Sequence, residues 1–244
     1  MAFLRGLIVL IEMIIFAVGG MIIGMIIIPF VSLFHSGLKK RQVCANIVQK
    51  SWIFFVKLLE KFDTIKLELE GDFSNISQKV VVASHPCLLD IVFLISLIPN
   101  CVCLAKKAVL KNPCMHHIVK NLYIINDVEL EEFLNDTDKA LNDGFNVIIF
   151  PTGTRFLANE EVKIHKGAAQ IAINSNVDIV PITLKLDFPL LQKNHFPLSA
   201  GKKLITCKIT RQEDIKVSDY KTSDIDNIKL RKILSDKIKE SITK

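Results

Sequence analysis

The chain has 244 residues, of which 31 are lysine or arginine and 25 are aspartate or glutamate, so its net charge is +6. This length fits one globular domain with an additional segment. The positive charge is not gathered into basic clusters interleaved with aromatic residues, so we expect no nucleic acid as a partner. The six cysteines follow neither a disulfide framework nor a compact zinc pattern, which predicts buried thiols, a reducing compartment and no metal site.

An apolar segment runs from Leu7 to Phe34 near the N-terminus, and Glu12 is the one charged residue within it. Its length is close to what a hydrocarbon core of about 30 Å requires. A cleaved signal peptide would be shorter and would end in a small-residue site. Glycines and Pro29 also permit a bent hairpin within one leaflet, so a membrane span and a monotopic anchor both remain open. Either arrangement predicts a membrane protein that contacts membrane lipids.

Basic residues flank the apolar segment, with Arg5 before it and the cluster Lys39, Lys40 and Arg41 after it. The heavier cluster at the C-terminal end favours a cytoplasmic position for the chain that follows. It also favours attraction to anionic lipid headgroups. We therefore predict a membrane protein, most simply of a bacterial inner membrane, with its main domain on the cytoplasmic face.

The remainder of the chain alternates between helical and strand patterns. An amphipathic helix is predicted at 43–62, which either packs on the core or lies at the lipid interface. The segments after it are predicted as strands at 64–70, 79–83, 101–105, 123–125, 146–150, 178–186 and 203–210, and as helical regions at 90–98, 106–120, 129–142, 167–174 and 223–242. A capping box is predicted to join Ser223 and Asp226 at the start of the last helix.

This alternation predicts an α/β fold in which a mostly parallel sheet is flanked by helices. The N-terminal residues 1–62 are predicted to form membrane-anchoring helices, and residues 63–244 to form the α/β domain. No internal repeat or interdomain linker interrupts that second part.

A histidine follows the strand at 79–83, within Ser84-His85-Pro86, and Asp90 opens the helix after it. Open α/β sheets place their chemistry at the carboxyl ends of the strands. An imidazole at that edge can act as a general base, and a nearby carboxylate can fix its tautomer and stabilise its cation. By itself the pair leaves a second interpretation open, in which His85 is a loop residue and Asp90 simply suits a helix N-terminus.

A second polar turn follows the strand at 146–150 and contains Thr152, Gly153, Thr154 and Arg155. Backbone N–H groups around a glycine, two hydroxyls and a guanidinium form an anion-recognition surface. The alternative is an ordinary turn between a strand and a helix that carries a surface arginine.

Together the two stretches resemble the hallmark blocks of the PlsC-like glycerolipid acyltransferases, the lysophosphatidic acid acyltransferases and their relatives. The family pattern is His-x-x-x-x-Asp followed by Phe-Pro-Glu-Gly-Thr-Arg. Further blocks that resemble the family are Leu104-Ala105-Lys106-Lys107 with Pro113, Lys166-Gly167-Ala168 and Ile179-Val180-Pro181-Ile182. The resemblance covers roughly residues 45–210, and the apolar N-terminus is similar to the family's membrane anchor.

The resemblance implies a glycerol-3-phosphate acyltransferase-like fold and transfer of an acyl group from acyl-CoA or acyl-carrier protein to a lipid hydroxyl. The acceptor it implies is a lysophospholipid such as 1-acylglycerol 3-phosphate, and no bound cofactor is required. His85 would be the general base and Asp90 would orient it, while Cys87 would line the site rather than act as a nucleophile. The substrate-binding residues that it implies are Thr152, Gly153, Thr154, Arg155, Lys106 and Lys166.

Two positions depart from the family pattern on the acceptor side. Thr152 stands where the family has glutamate, and Asp127 stands where an arginine commonly contributes to phosphate recognition. A non-phosphorylated acceptor, such as an aryl-polyene-type lipid, is therefore an alternative, and a catalytically weakened lipid-binding protein is another. The retained pair of His85 and Asp90 favours an enzyme, and the resemblance argues against a thioesterase.

Overall fold

The computed structural model describes residues 2–153, 163–188, 203–221 and 225–243. Helices α1 (Ala2–Ile22) and α2 (Ile28–Phe34) join through a π-helical turn (Ile23–Ile27), and α3 (Gly37–Lys61) follows. The strands are β1 (Ile65–Glu70), β2 (Val80–Ala83), β3 (Cys101–Ala105), β4 (Tyr123–Ile125), β5 (Asn146–Ile149), β6 (Ile179–Leu186) and β7 (Ile205–Arg211). The remaining α-helices are α4 (Asp90–Leu97), α5 (Pro113–Leu122), α6 (Leu130–Asn142), α7 (Gly167–Ser175) and α8 (Asn227–Ile242).

The strands form a seven-stranded sheet in the order β1-β7-β6-β2-β5-β3-β4. All neighbouring pairs are parallel except β6 and β7, so β1 and β7 run opposite to the other five strands. The central strand β2 is buried along its whole length, as expected for a parallel strand that is covered on both faces. The predicted α/β fold with a mostly parallel sheet is confirmed.

Helices cover the sheet in two groups: α3 contacts α4 and α5, and α7 contacts α6 and α8. The connection from β2 passes through α4 toward β3, whereas the connection from β5 passes through α7 in the opposite direction toward β6. Because such crossovers are right-handed, connections in opposite directions place their helices on opposite faces. The neighbouring strands β2 and β5 therefore mark a topological switch point, where a crevice opens beyond their carboxyl ends.

The charged residue of the apolar segment faces the protein. Glu12 is only 1% exposed, and its Oε2 accepts a hydrogen bond of 2.7 Å from the Thr64 hydroxyl, just before β1. About two helical turns before Glu12, Arg5 Nη2 donates to the carbonyl oxygen of Asp63 at 2.7 Å. These two contacts attach α1 to the junction between α3 and β1.

The apolar face of α3 packs into the protein, which supports core packing over the lipid-interface alternative for the predicted amphipathic helix. Phe55 is 3% exposed, and the ring of Phe16 from α1 lies 5.0 Å from it and 5.1 Å from Trp52 between ring centroids. The helix also begins at Gly37, six residues before its predicted start at Val43. The basic cluster at 39–41 therefore belongs to the helix and not to a linker.

The outward side of α1 and α2 is apolar. Its exposed large side chains are Phe3, Leu4, Leu7, Ile11, Ile14, Ile15, Val18, Met21, Ile22, Met25, Ile26, Phe30, Leu33 and Phe34. Among the described residues, Phe3–Phe34 is the one helical stretch long and apolar enough to cross a membrane. The length and composition of this stretch support association with a membrane.

The last helix starts later than predicted. It begins at Asn227, and Asp226 is its N-cap, with the side chain accepting a hydrogen bond of 2.7 Å from the backbone N–H of Lys229. The carboxylate satisfies one of the unpaired N–H groups of the first turn, so the helix needs no cap from further upstream. Ser223, the predicted capping residue, lies outside the described residues.

Candidate active site

The residue before the histidine is fixed to the neighbouring strand. The Ser84 hydroxyl accepts from the N–H of Leu184 at 2.7 Å and donates to the carbonyl oxygen of the same residue at 3.2 Å. The N–H of Ser84 also donates to Ile182 at 3.2 Å, which continues the pairing of β2 with β6. Pro86 has no N–H to offer and cannot extend the strand. The chain therefore leaves the sheet at His85 from a rigid position.

His85 and Asp90 are in direct contact. The distance between His85 Nδ1 and Asp90 Oδ2 is 2.9 Å, and the carboxyl group is completely buried. Because a carboxylate is the acceptor, we assign the proton to Nδ1, which leaves Nε2 as a hydrogen-bond acceptor. The side chain of His85 is 19% exposed, so its free edge is accessible from the crevice.

Both oxygens of Asp90 are held by the turn that joins β2 to α4. The N–H of Cys87 donates to Oδ2 at 2.8 Å, and the Cys87 thiol donates to Oδ1 at 2.9 Å. Burial raises the pKa of the Asp90 carboxyl above its ordinary value, and the hydrogen bonds from His85 and Cys87 act in the opposite direction. The carboxyl group is thus fixed in one orientation toward the imidazole.

The neighbouring thiol is unsuited to nucleophilic attack. Burial, followed by the charge of Asp90, raises the pKa of the Cys87 thiol well above its ordinary value. The thiolate is the nucleophilic form of cysteine, so a buried thiol beside a carboxylate is unreactive. Cys87 acts in this geometry as a hydrogen-bond donor to Asp90.

His85 lies in the wall of a cavity of about 300 Å³ at the switch point. Its ring stacks on Phe150, which directly follows β5, with 4.1 Å between ring centroids and an interplanar angle of 20°. Other residues of the wall are Leu88, Ile91, Cys103, Leu104, Lys106, Tyr123, Asn126 and Gly153. An apolar wall with a histidine and a lysine can hold an apolar chain and a polar reacting group together.

The second predicted turn reaches the same cavity through Gly153. Its φ of +68° lies in the left-handed region, which glycine adopts without strain. A Cβ at this position would lie 3.3 Å from ring atoms of His165, and the backbone N–H of His165 donates to the carbonyl oxygen of Pro151 at 2.8 Å. Thr152, between Pro151 and Gly153, is partly buried. A second histidine therefore borders the site.

The predicted substrate-binding residues do not all come together. Lys106 and Gly153 share the cavity with His85, whereas Lys166 lies outside it, in a separate groove against α8. Thr154 and Arg155 lie outside the described residues. The sequence did not single out Phe150, Tyr123, Asn126 or His165 as site residues, since nothing in their spacing shows which residues the folded chain places around His85.

Asp127, which stands where the family commonly has an arginine, makes a structural hydrogen bond. Asp127 Oδ1 accepts a hydrogen bond of 2.6 Å from the backbone N–H of Lys107. This contact joins the segment after β4 to the segment after β3, and the N–H of Asn126 reinforces it by donating to Ala105 at 3.0 Å. The carboxylate thus orders the loop that carries Lys106 at the cavity.

The family model described as "Acyltransferase" matches residues 65–185, about half of the chain. That range contains β1 to β6, the contact between His85 and Asp90, and the glycine turn. The chain belongs to the acyltransferase family. The N-terminal helices and α8 of this acyltransferase-family chain lie outside the matched range.

Proteins similar to this chain include two named acyltransferases. A 1-acyl-sn-glycerol-3-phosphate acyltransferase of Cocos nucifera is 28% identical over 130 residues, which cover 48% of this chain and 41% of that relative. The crystal structure of the 1-acyl-sn-glycerophosphate (LPA) acyltransferase PlsC from Thermotoga maritima superimposes with a TM-score of 0.70. It covers 99% of this acyltransferase-family chain and 97% of its own, and at 18% identity it establishes the fold.

Proposed function

We propose that the protein is a membrane-associated O-acyltransferase. It moves an acyl chain from acyl-CoA or acyl-carrier protein to a lipid hydroxyl, with a lysophospholipid such as 1-acylglycerol 3-phosphate as the acceptor. The observation that carries this proposal is the contact between His85 and the buried Asp90 at the switch point, with His85 in the wall of a mostly apolar cavity. The names of the two similar proteins support the same acceptor class.

The geometry suits direct transfer without an acyl-enzyme. Nε2 of His85 takes the proton of the acceptor hydroxyl as the hydroxyl oxygen attacks the thioester carbonyl carbon. The new C–O bond forms, and the tetrahedral intermediate then collapses with cleavage of the C–S bond. Asp90 stabilises the imidazolium in the meantime, and the imidazolium returns its proton to the departing thiolate. The products are an ester and a free thiol.

The substrate-binding roles follow the chemistry of the wall. The apolar side chains Leu88, Ile91 and Leu104 suit an acyl chain, and the Lys106 ammonium suits the phosphate of the acceptor. Thr152 and Gly153 in the second turn would contact the same headgroup. Thr154, Arg155 and Lys166 remain further candidates for substrate binding.

The apolar outer side of α1 and α2 supports the membrane part of the proposal. Both substrates carry acyl chains, so an enzyme that lies against a lipid surface can take its acceptor from the bilayer. The basic cluster of Lys39, Lys40 and Arg41 after the apolar segment favours the cytoplasmic face for the main domain.

A non-phosphorylated lipid alcohol, of the aryl-polyene type, is the second candidate acceptor. Asp127 favours this acceptor, because a carboxylate that is hydrogen-bonded to the backbone stands where a phosphate-binding cation would be expected. Thr152, in place of a glutamate, is the second departure that favours it. Purified protein in detergent micelles would be supplied with acyl-CoA or acyl-carrier protein and with either acceptor. Ester formation on 1-acylglycerol 3-phosphate supports the first candidate. Ester formation on the alcohol alone supports the second, and free fatty acid as the main product contradicts both.

A further inference from the structure

A groove of about 470 Å³ lies beside the active-site crevice, between the segment that leads into α7 and the outer side of α8. Four lysines line it, Lys163, Lys166, Lys232 and Lys239, and we call it the lysine groove. Ile164, Ser235 and Asp236 complete its wall. Its volume falls within the roughly 300–1,000 Å³ that is typical of small-molecule sites.

The charge of the lysine groove is unbalanced. Four ammonium groups face one carboxylate, that of Asp236, and all five side chains are exposed. Within the part of the chain that the structure describes, none of the four lysines forms an ion pair. Like charges gathered in a concave site raise the local positive potential and attract anions. The lysine groove therefore fits a ligand that carries several negative charges.

Within the described part of the chain, His165 links the lysine groove to the catalytic cavity. Lys163 and Lys166 flank His165 in the chain, and the ring of His165 lies against Gly153, which lines the cavity with His85. An elongated ligand can therefore extend from the cavity past His165 into the groove. Lys163 and Lys166 lie within the region matched by the family model, whereas Lys232 and Lys239 come from α8, outside it, so α8 supplies half of the groove's lysines.

We propose that the lysine groove binds the phosphate groups of the 3′-phosphorylated adenosine diphosphate portion of acyl-CoA, which names the donor for the proposed acyltransferase and rests on that function. With the thioester carbonyl at His85, the pantetheine arm carries the nucleotide out of the cavity. Ammonium groups of lysine are suited to phosphate oxygens as charge-assisted donors. The groove's volume of about 470 Å³ is that of a small-molecule site, which favours a nucleotide over the broader surface of an acidic carrier protein.

The test uses the full-length chain in detergent micelles and adenosine 3′,5′-bisphosphate as the probe, followed by isothermal titration calorimetry. The double variant Lys232→Glu/Lys239→Glu reverses two charges of the lysine groove. Lys229→Glu is the matched control, because Lys229 is exposed on the same helix but does not line the groove. We expect wild type and control to bind alike, and the double variant to bind about tenfold or more weakly.

Turnover provides the second readout. The double variant should raise the KM for acyl-CoA by a similar factor and leave the KM for the acceptor unchanged. It should use S-acyl-pantetheine, which lacks the nucleotide, as well as wild type does. Lys232→Gln/Lys239→Gln removes the two charges without reversing them and should give a smaller loss of affinity. It serves as the second test if the charge-reversed variant misfolds.

Any of three results would overturn the inference. The first is no bisphosphate binding by wild type, and the second is an equal loss of bisphosphate affinity in the Lys229→Glu control. The third is a double variant that loses carrier-protein binding but still binds the bisphosphate as wild type does. The calorimetric assay needs no turnover. Bisphosphate binding that depends on the lysine groove, in a protein that forms no ester with any acceptor, therefore supports the groove while contradicting the proposed function.

Discussion

At the scale of single residues, the site depends on how firmly Asp90 is held. Its oxygens receive hydrogen bonds from the imidazole of His85 and from both the N–H and the thiol of Cys87. Each of these donors points to a group that is completely buried, where an unpaired polar atom is costly. The carboxylate therefore fixes the tautomer of His85 as a consequence of local turn geometry, before any substrate arrives.

Replacing Asp90 by asparagine tests this role. The amide keeps the side-chain volume but can present its NH2 group to Nδ1, which would favour the tautomer with the proton on Nε2 and remove the base. We expect kcat to fall by about 10²-fold or more while the KM for the donor changes little. Circular dichroism would confirm that the variant is folded. A variant that retains most of its kcat would show that the carboxylate does not orient His85.

Cys87 should be dispensable for the chemistry. Cys87→Ser keeps a donor to Asp90 and should retain nearly full activity, whereas Cys87→Ala removes one buried hydrogen bond and should lower the free energy of unfolding by about 1–3 kcal/mol. Steady-state kinetics and urea unfolding measure the two effects. Complete inactivity of the folded serine variant, together with an acyl-enzyme detected by mass spectrometry, would instead make Cys87 a nucleophile.

At the scale of elements, the turn after β5 has little space for a side chain at Gly153. Gly153→Ala would introduce a side chain at a φ of +68° and 3.3 Å from the ring of His165. We expect it to cost about 1 kcal/mol of stability from the backbone conformation alone. The ring must also shift, which should raise the KM for substrate.

The double variant Gly153→Ala/His165→Ala separates the two causes. Removing the ring should relieve the crowding but not the backbone strain, so the double variant should be less unstable than the sum of the single effects. Thermal unfolding of the four proteins gives the coupling. Strict additivity would mean that the His165 ring does not pack against the turn.

The attachment of α1 gives a prediction for a second element. Thr64→Val removes the donor to the buried Glu12 carboxyl and should lower the free energy of unfolding by about 1–3 kcal/mol. Glu12→Gln keeps an acceptor for the Thr64 hydroxyl and should be close to neutral. Urea unfolding in detergent micelles compares the two variants. A larger loss for Glu12→Gln than for Thr64→Val would show that the contact is not the attachment.

Much of the secondary structure followed from local patterns. The strands at β2, β3 and β5 have uninterrupted apolar runs, and Asp90 marks the start of α4, so these elements were predicted nearly to the residue. The start of α3 was missed because the charged residues at 39–41 hide its apolar periodicity. The start of α8 was missed because Asp226 serves as the cap itself and not as the partner of one.

The site was predictable only where its residues are close in sequence. His85 and Asp90 share one turn, so their contact could be expected from the sequence, and the structure places Nδ1 and Oδ2 2.9 Å apart. The stacking of Phe150 on His85, the approach of His165 to Gly153 and the meeting of α8 with the segment before α7 depend on the order of strands in the sheet. That order arises from packing of the whole chain, which no local pattern contains.

At the scale of the whole molecule, three features bear on the proposed reaction. The switch point between β2 and β5 holds the base, the lysine groove adjoins it past His165, and the N-terminal helices present an apolar outer side. An acyl chain, a polyanionic carrier and a lipid acceptor can thus each meet a surface of matching chemistry. Together these surfaces fit acyl transfer at a membrane better than any one of them does alone.

In the proposed reaction, Nε2 of His85 activates a lipid hydroxyl for attack on a thioester. The most direct measurement is single-turnover formation of labelled ester from acyl-CoA and 1-acylglycerol 3-phosphate, by wild type and by His85→Ala at equal amounts of folded, micelle-bound protein. We predict that the variant forms ester about 10²–10⁴-fold more slowly while its binding of adenosine 3′,5′-bisphosphate is unchanged. Ester formation at the wild-type rate by His85→Ala would show that His85 is not the general base.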